Sequence, residues 1–180
     1  MTYPAEVVMI KEKTLAIAAA LLLMAVVLAL YWPVTGYDFI AMDDHMYVID
    51  NPDIQRGLSW QGISWAMTTL YTSNWHPLTW LSLLADFEFY GMNAAGYHVT
   101  NLLLHIINTL LLFLLLRRIT GSTWRCFTLA ALFGVHPLNI ESVVWIAERK
   151  NLISTFFGCL PFLPMSVMQQ NWVVSTICRP

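Results

Sequence analysis

The run Thr14-Leu-Ala-Ile-Ala-Ala-Ala-Leu-Leu-Leu-Met-Ala-Val-Val-Leu-Ala-Leu-Tyr-Trp32 decides the class of this protein. It carries no charge, and at ~1.5 Å per residue a helix of this length reaches roughly the ~30 Å of a bilayer core. A cleaved signal peptide is the rival reading. The run is long for one, and Tyr31-Trp32-Pro33 offers no small-residue cleavage site. The aromatic pair suits a membrane interface instead.

The remaining composition agrees with a membrane protein. Hydrophobic residues make up 58% of the 180 positions and charged residues 11%, with a mean hydropathy of +0.60, outside the usual range of soluble domains. The net charge is -2. Basic residues lie near helix ends and acids crowd between the first two apolar runs, so no nucleic-acid partner is expected. Cys126, Cys159 and Cys178 lack metal-ligand spacing and read as packing residues.

Working outward, Lys11 and Lys13 precede the first run, which by the positive-inside tendency puts the N-terminus in the cytoplasm and the next segment outside. That segment, 33–96, holds Phe39-Ile-Ala-Met-Asp-Asp-His-Met-Tyr-Val-Ile-Asp-Asn-Pro-Asp53, with the adjacent acids Asp43 and Asp44. It is also rich in indoles (Trp60, Trp65, Trp75, Trp80), which favour an interface. Apolar spacing predicts two helices lying on the membrane, about 58–71 and 77–90, the second opened by Pro77.

A second span is predicted over 97–116, ending at Arg117-Arg118 with Arg125 close behind. His98, Asn101, His105 and Asn108 recur along it at steps of three and four and so share a face. Polar groups in hydrocarbon are costly, so that face looks into protein or a cavity. Hydrogen bonding to neighbouring helices accounts for it as well as a transport path does.

A third span is expected over 123–147, bent or stopped at Pro137, and a fourth over 152–168, interrupted by Pro161 and Pro164. The tail 161–180 has no periodicity. Glu141, Trp145 and Glu148 share a face and lead into Arg149-Lys150, a pair that either snorkels or holds an anion. The expected architecture is an all-α membrane protein of about four spans, with a long external loop carrying juxtamembrane helices between the first and second. No phosphate-cradling glycine loop or nucleophile elbow occurs.

Several separated motifs then occur in a specific order: Met42-Asp43-Asp44, Asn51-Pro52, Gly57-Leu58-Ser59-Trp60, Asn74-Trp75-His76-Pro77-Leu78-Thr79-Trp80, Gly96-Tyr97-His98, Asn101-Leu-Leu-Leu-His105, His136-Pro137-Leu138-Asn139-Ile140-Glu141-Ser142-Val143 and Glu148-Arg149-Lys150. Over about 37–157 the chain resembles the multipass membrane proteins that join a C-type glycosyltransferase region, related to protein O-mannosyltransferases, to tetratricopeptide repeats. The resemblance fades near Cys159, where that family continues into further membrane helices, and a shortened gene with an incomplete enzyme is the expectation. On this reading 14–160 is part of the C-type domain.

The resemblance implies a polyprenyl-phosphate-linked sugar as donor, a hydroxyl of a protein acceptor, and an acid in the first external loop acting as base. The family pattern maps the base onto Asp43, with Asp44 next, although Met42 stands where an aromatic residue is usual. Without the family, two adjacent acids in a loop also make a solvated turn or a helix cap. Arg149, with Lys150, is the candidate for the lipid phosphate, because a guanidinium grips phosphate bidentately. His76, His98, His136 and Glu141 are pocket candidates by motif. A divalent metal on Asp43 and Asp44 is conceivable, but two adjacent carboxylates make a poor ligand set. A noncatalytic membrane anchor or assembly module, and a small transporter subunit, are the alternative functions.

Overall fold

The computed structural model describes residues 5–41 and 43–162. Cys178, Pro164 and the second half of the expected fourth span lie outside these residues. All regular structure among the described residues is helical: α1 (Ala5–Tyr31), α2 (Trp60–Thr68), α3 (Pro77–Tyr90), α4 (Ala94–Thr120), α5 (Thr123–Gly134), α6 (Asn139–Val144) and α7 (Arg149–Cys159), joined by short 3₁₀ turns and one turn of π-helix at His45–Ile49.

Two stretches among the described residues, Met9–Gly36 and Ala94–Thr120, are long and apolar enough to cross a membrane. Their surfaces argue for lipid rather than water. On α1 the buried residues step Ala16, Ala19, Leu23, Val27 and Tyr31, while Ile17, Leu21, Leu22 and Leu28 are exposed. On α4 the polarity is inverted relative to a soluble helix: His98, Asn101, His105 and Asn108 are buried, and Leu103, Ile107 and Leu114 are exposed. This is a membrane protein.

The chain divides into two compact units. Of the described residues, one comprises 5–30, 106–136 and 155–162, and the other 31–41, 43–105 and 137–154. In the first, Ala19, Leu23, Phe113, Cys126 and Ala130 pack together. Its polar end is tied by Thr123, whose hydroxyl donates to Glu12 Oε2 at 3.2 Å and accepts from Arg117 Nε at 3.1 Å. Gly134 is required by closeness, since a Cβ there would stand 2.9 Å from Val27 and 3.1 Å from Thr109.

The second unit is built on Tyr47, Val48, Ile54, Ala66, Trp80, Leu83, Leu84, Tyr97, Ile146 and Ala147. The two helices expected at 58–71 and 77–90 form as α2 and α3. Ser59 caps α2 by accepting from Gly62 N at 3.1 Å, and Pro77 starts α3. Beyond α5 the structure departs from a continuous helix over 123–147. At 12 residues α5 is ~18 Å long, too short to span alone, and it stops ahead of Pro137, which cannot donate the intrahelical bond. The chain then jogs through α6 and the 3₁₀ turn Ile146–Glu148 before α7 begins at Arg149, earlier than position 152.

Candidate functional site

The two adjacent acids part company. Asp44 is fully buried: Oδ1 accepts from Ala147 N at 2.9 Å and Oδ2 from Ile40 N at 3.0 Å. Burial pushes its carboxyl above the ordinary range, against the pull of those backbone donors. With both oxygens engaged, Asp44 ties the acid segment to the turn before α7. Asp43 is half-buried, in the helical turn that leads into the π-helical His45–Ile49. An irregular turn of this kind is common at functional sites.

The neighbouring sequence is shaped by its own turn chemistry. Asn51 Oδ1 accepts from Asp53 N at 3.1 Å and Ile54 N at 3.4 Å, which closes the Asn51-Pro52 turn. Gly57 has φ 59° and ψ -154°, a conformation essentially reserved to glycine. Leu58 N next to it donates to Glu88 Oε2 at 3.2 Å.

The basic pair also splits. Arg149 is 0% exposed. Nε donates to Asn101 Oδ1 at 2.6 Å, one terminal nitrogen to Ser82 Oγ at 3.4 Å and the other to Tyr97 O at 3.0 Å, and the latter nitrogen forms an ion pair with Asp86 Oδ2 at 2.5 Å. Asp86 in turn accepts from Thr100 Oγ1 at 2.7 Å. Burial works against both charges of this pair, and each opposes that loss in the other. Lys150 keeps 34% of its side chain exposed and donates to Glu148 Oε1 at 2.7 Å. Burial works to lower it, but Glu148, together with Tyr47 and Asp43, holds the ammonium raised. Asp43 therefore lies within electrostatic reach of Lys150.

Next to this charge cluster is a stack of rings. His76 and Tyr47 are parallel at 5.8 Å, and Trp80 lies 4.8 Å from His76 and 4.7 Å from Tyr47. Burial, and then Lys150, push the His76 imidazole below its usual value, so it is held neutral. Asp43, Tyr47, His76, Glu148 and Lys150 thus come together in one unit.

The other predicted residues do not join them. His98 is buried on α4 and Glu141 is exposed on α6. His136 is exposed and belongs to the other unit. On the polar face of α4, Asn101 is consumed by protein: besides accepting from Arg149, its Nδ2 donates to Val143 O at 3.2 Å and Trp145 O at 3.3 Å. An open depression of about 340 Å³ is lined by Thr35–Asp38 and Met92–Ala95, and none of the predicted residues lines it. Among the described residues no three His, Cys, Asp or Glu side chains gather in a way that could hold a metal ion.

Sequence reasoning missed Asp86. Its signal was an acid within the apolar helix Leu-Thr-Trp-Leu-Ser-Leu-Leu-Ala-Asp-Phe, which calls for a cationic partner if it faces the interior. Glu148 and Tyr47 were likewise not singled out as site residues.

No protein-family model and no solved structure matches the chain. It is 31% identical over 143 residues to protein O-mannosyl-transferase Tmtc2 of Drosophila melanogaster, covering 74% of this chain and 15% of that protein. Against protein O-mannosyl-transferase tmtc2 of Xenopus laevis the identity is 32% over 154 residues, 81% of this chain and 18% of the other. Against protein O-mannosyl-transferase Tmtc1 of Drosophila melanogaster it is 36% over 90 residues, 50% and 10%. The chain thus spans less than a quarter of the length of these relatives.

Proposed function

Since this chain is a homologue of part of the Tmtc-type protein O-mannosyl-transferases, we propose that it carries the acceptor-activating end of a membrane glycosyltransferase. The reaction passes a mannose-like sugar from a polyprenyl-phosphate carrier to a hydroxyl of a protein acceptor. Asp43 takes the hydroxyl proton as the oxygen bonds to the anomeric carbon. The bond from that carbon to the phosphate oxygen breaks, and the carrier leaves as a phosphate anion stabilised by a nearby cation.

The observation that carries this reading is the division of labour between the paired residues. Asp44 has both oxygens committed to backbone donors, whereas Asp43 is half-buried and accepts from neither of them. The lipid phosphate accordingly falls to Lys150, which retains exposure and pairs with Glu148. A neutral His76, stacked on Tyr47 and Trp80, gives an apolar wall against which a sugar ring can pack.

The same reading proposes a topology. Lys11, Lys13, Arg117, Arg118 and Arg125 would face the cytoplasm, with 33–96 and its acids on the external side. Residues 14–160 would be part of a C-type domain, with its third span over about 123–147 and a fourth beginning near 152. The test is sugar transfer by the complete natural gene product in membranes. Asp43→Asn should lower the rate about 100-fold or more with an unchanged melting midpoint, and an unchanged rate would reject the assignment.

A further inference from the structure

We propose that the ends of α1, α4 and α5 that meet at Glu12, Arg117 and Thr123 form a basic rim that gathers anionic phospholipid headgroups. Three bonds bring these ends together. Thr123 Oγ1 donates to Glu12 Oε2 at 3.2 Å and accepts from Arg117 Nε at 3.1 Å, and a terminal nitrogen of Arg117 donates to Glu12 O at 3.4 Å. The tie decides where the neighbouring charges go, because successive helical residues are turned ~100° from one another. With Glu12 facing Thr123, Lys11 and Lys13 flank it on either side. With Arg117 turned to α1 and α5, Arg118 turns away from them. Lys11, Lys13, Arg118 and Arg125 are all exposed.

Against these cations the three ends set the carboxylate of Glu12, and Glu6 stands more than a turn further out on α1. Among the described residues no carboxylate comes within ion-pair distance of Lys13, Arg117 or Arg125. A surplus of like charge held this close favours an anionic partner. The kind of anion follows from the place. Lys11, Lys13, Arg117 and Arg118 lie at the ends of the two helices long and apolar enough to span, at the level where headgroups begin. Beside them Ile119 is 59% and Trp124 64% exposed. An aliphatic chain and an indole next to guanidinium groups fit the boundary between phosphate and acyl chain. A lipid satisfies both kinds of side chain, and a soluble anion satisfies only the charges. Anionic lipid near a membrane surface is drawn to basic clusters of this kind and released by salt.

The rim uses none of the residues assigned to sugar transfer, and its preference holds whichever membrane face it occupies. The test places a photoreactive benzoylphenylalanine at Ile119 of the complete natural gene product, reconstituted in vesicles of equal phosphatidylserine and phosphatidylcholine. Mass spectrometry of the captured lipid reads the ratio at that one position. A second reporter at Leu30, exposed at the opposite end of α1, gives the reference. The expected result is capture of phosphatidylserine over phosphatidylcholine about threefold or more at Ile119 and near parity at Leu30. Lys13→Gln combined with Arg118→Gln and Arg125→Gln brings the Ile119 ratio to parity. So does about 1 M salt, where screening acts within ~3 Å, and this arm needs no substitution if the triple variant fails to insert. Parity at Ile119 in the chain with its basic residues intact would overturn the proposal. A preference that survives the substitutions or the salt, or one equally large at Leu30, would overturn it as well.

Discussion

At the residue scale, adjacent side chains of the same type do different work here because the backbone turns one inward and leaves the other near the surface. Asp44 and Arg149 are interior residues, each satisfied by named partners, and Asp43 and Lys150 are their accessible neighbours. The sequence reading mapped the base onto Asp43, with Asp44 next. It assigned the phosphate to Arg149 because guanidinium chemistry suits phosphate, and burial cannot be seen in a dipeptide. The partner that buries Arg149 is Asp86, far away in the chain. His76 supplies a prediction at this scale. Its imidazole is depressed by burial and by Lys150, so the folded state binds a proton less readily than the unfolded chain. Its stabilising effect is then present above the unfolded value of ~6.5 and is lost as pH falls below it. A pH series of melting midpoints from about 7.5 to 5.5 should show a decline that His76→Phe, which keeps the ring stack, reduces. Equal declines in the two proteins would rule this out.

At the scale of elements, several of the motifs that carry the family resemblance prove to be turn and cap chemistry. Asn51 closes a turn, Ser59 caps α2, and Pro77 opens α3. Gly96 leaves room for the Tyr90 ring, which a Cβ would strike. Such features depend on neighbours a few residues away, which is why α1 to α4 were legible in the sequence. The stop before Pro137 was legible for the same reason. The course from Val135 to Lys150 was not, because its shape is imposed by Asn101 and Asp44, which act from other elements. Gly57 tests the local part of this account. Its φ of 59° strains any other residue, and a Cβ there would meet the Glu88 carboxylate, which would have to swing away from Leu58 N. Gly57→Ala should cost about 1–3 kcal/mol in chemical denaturation of the full chain, and a cost near zero would show that the turn relaxes freely.

At the scale of the molecule, two helices among the described residues are long enough to span and both show lipid-type surfaces. Length and composition made them readable at once. The number and direction of further spans depend on how α5, α6 and α7 are continued, and local pattern does not fix this. The proposed orientation is checked by inserting an N-glycosylation acceptor sequence after Gly36 or after Gly121 and expressing the chain with microsomes. Modification at the first site alone is the expected outcome, and modification at the second alone would invert the topology.

The most direct measurement is the rate of sugar transfer from a polyprenyl-phosphate mannose donor to a peptide acceptor by the complete natural gene product, wild type against Asp43→Asn. The account predicts transfer by the wild type and a loss of about 100-fold or more in the variant at an unchanged melting midpoint. A variant that transfers at the wild-type rate, or a folded wild type that transfers nothing from this donor, would contradict it.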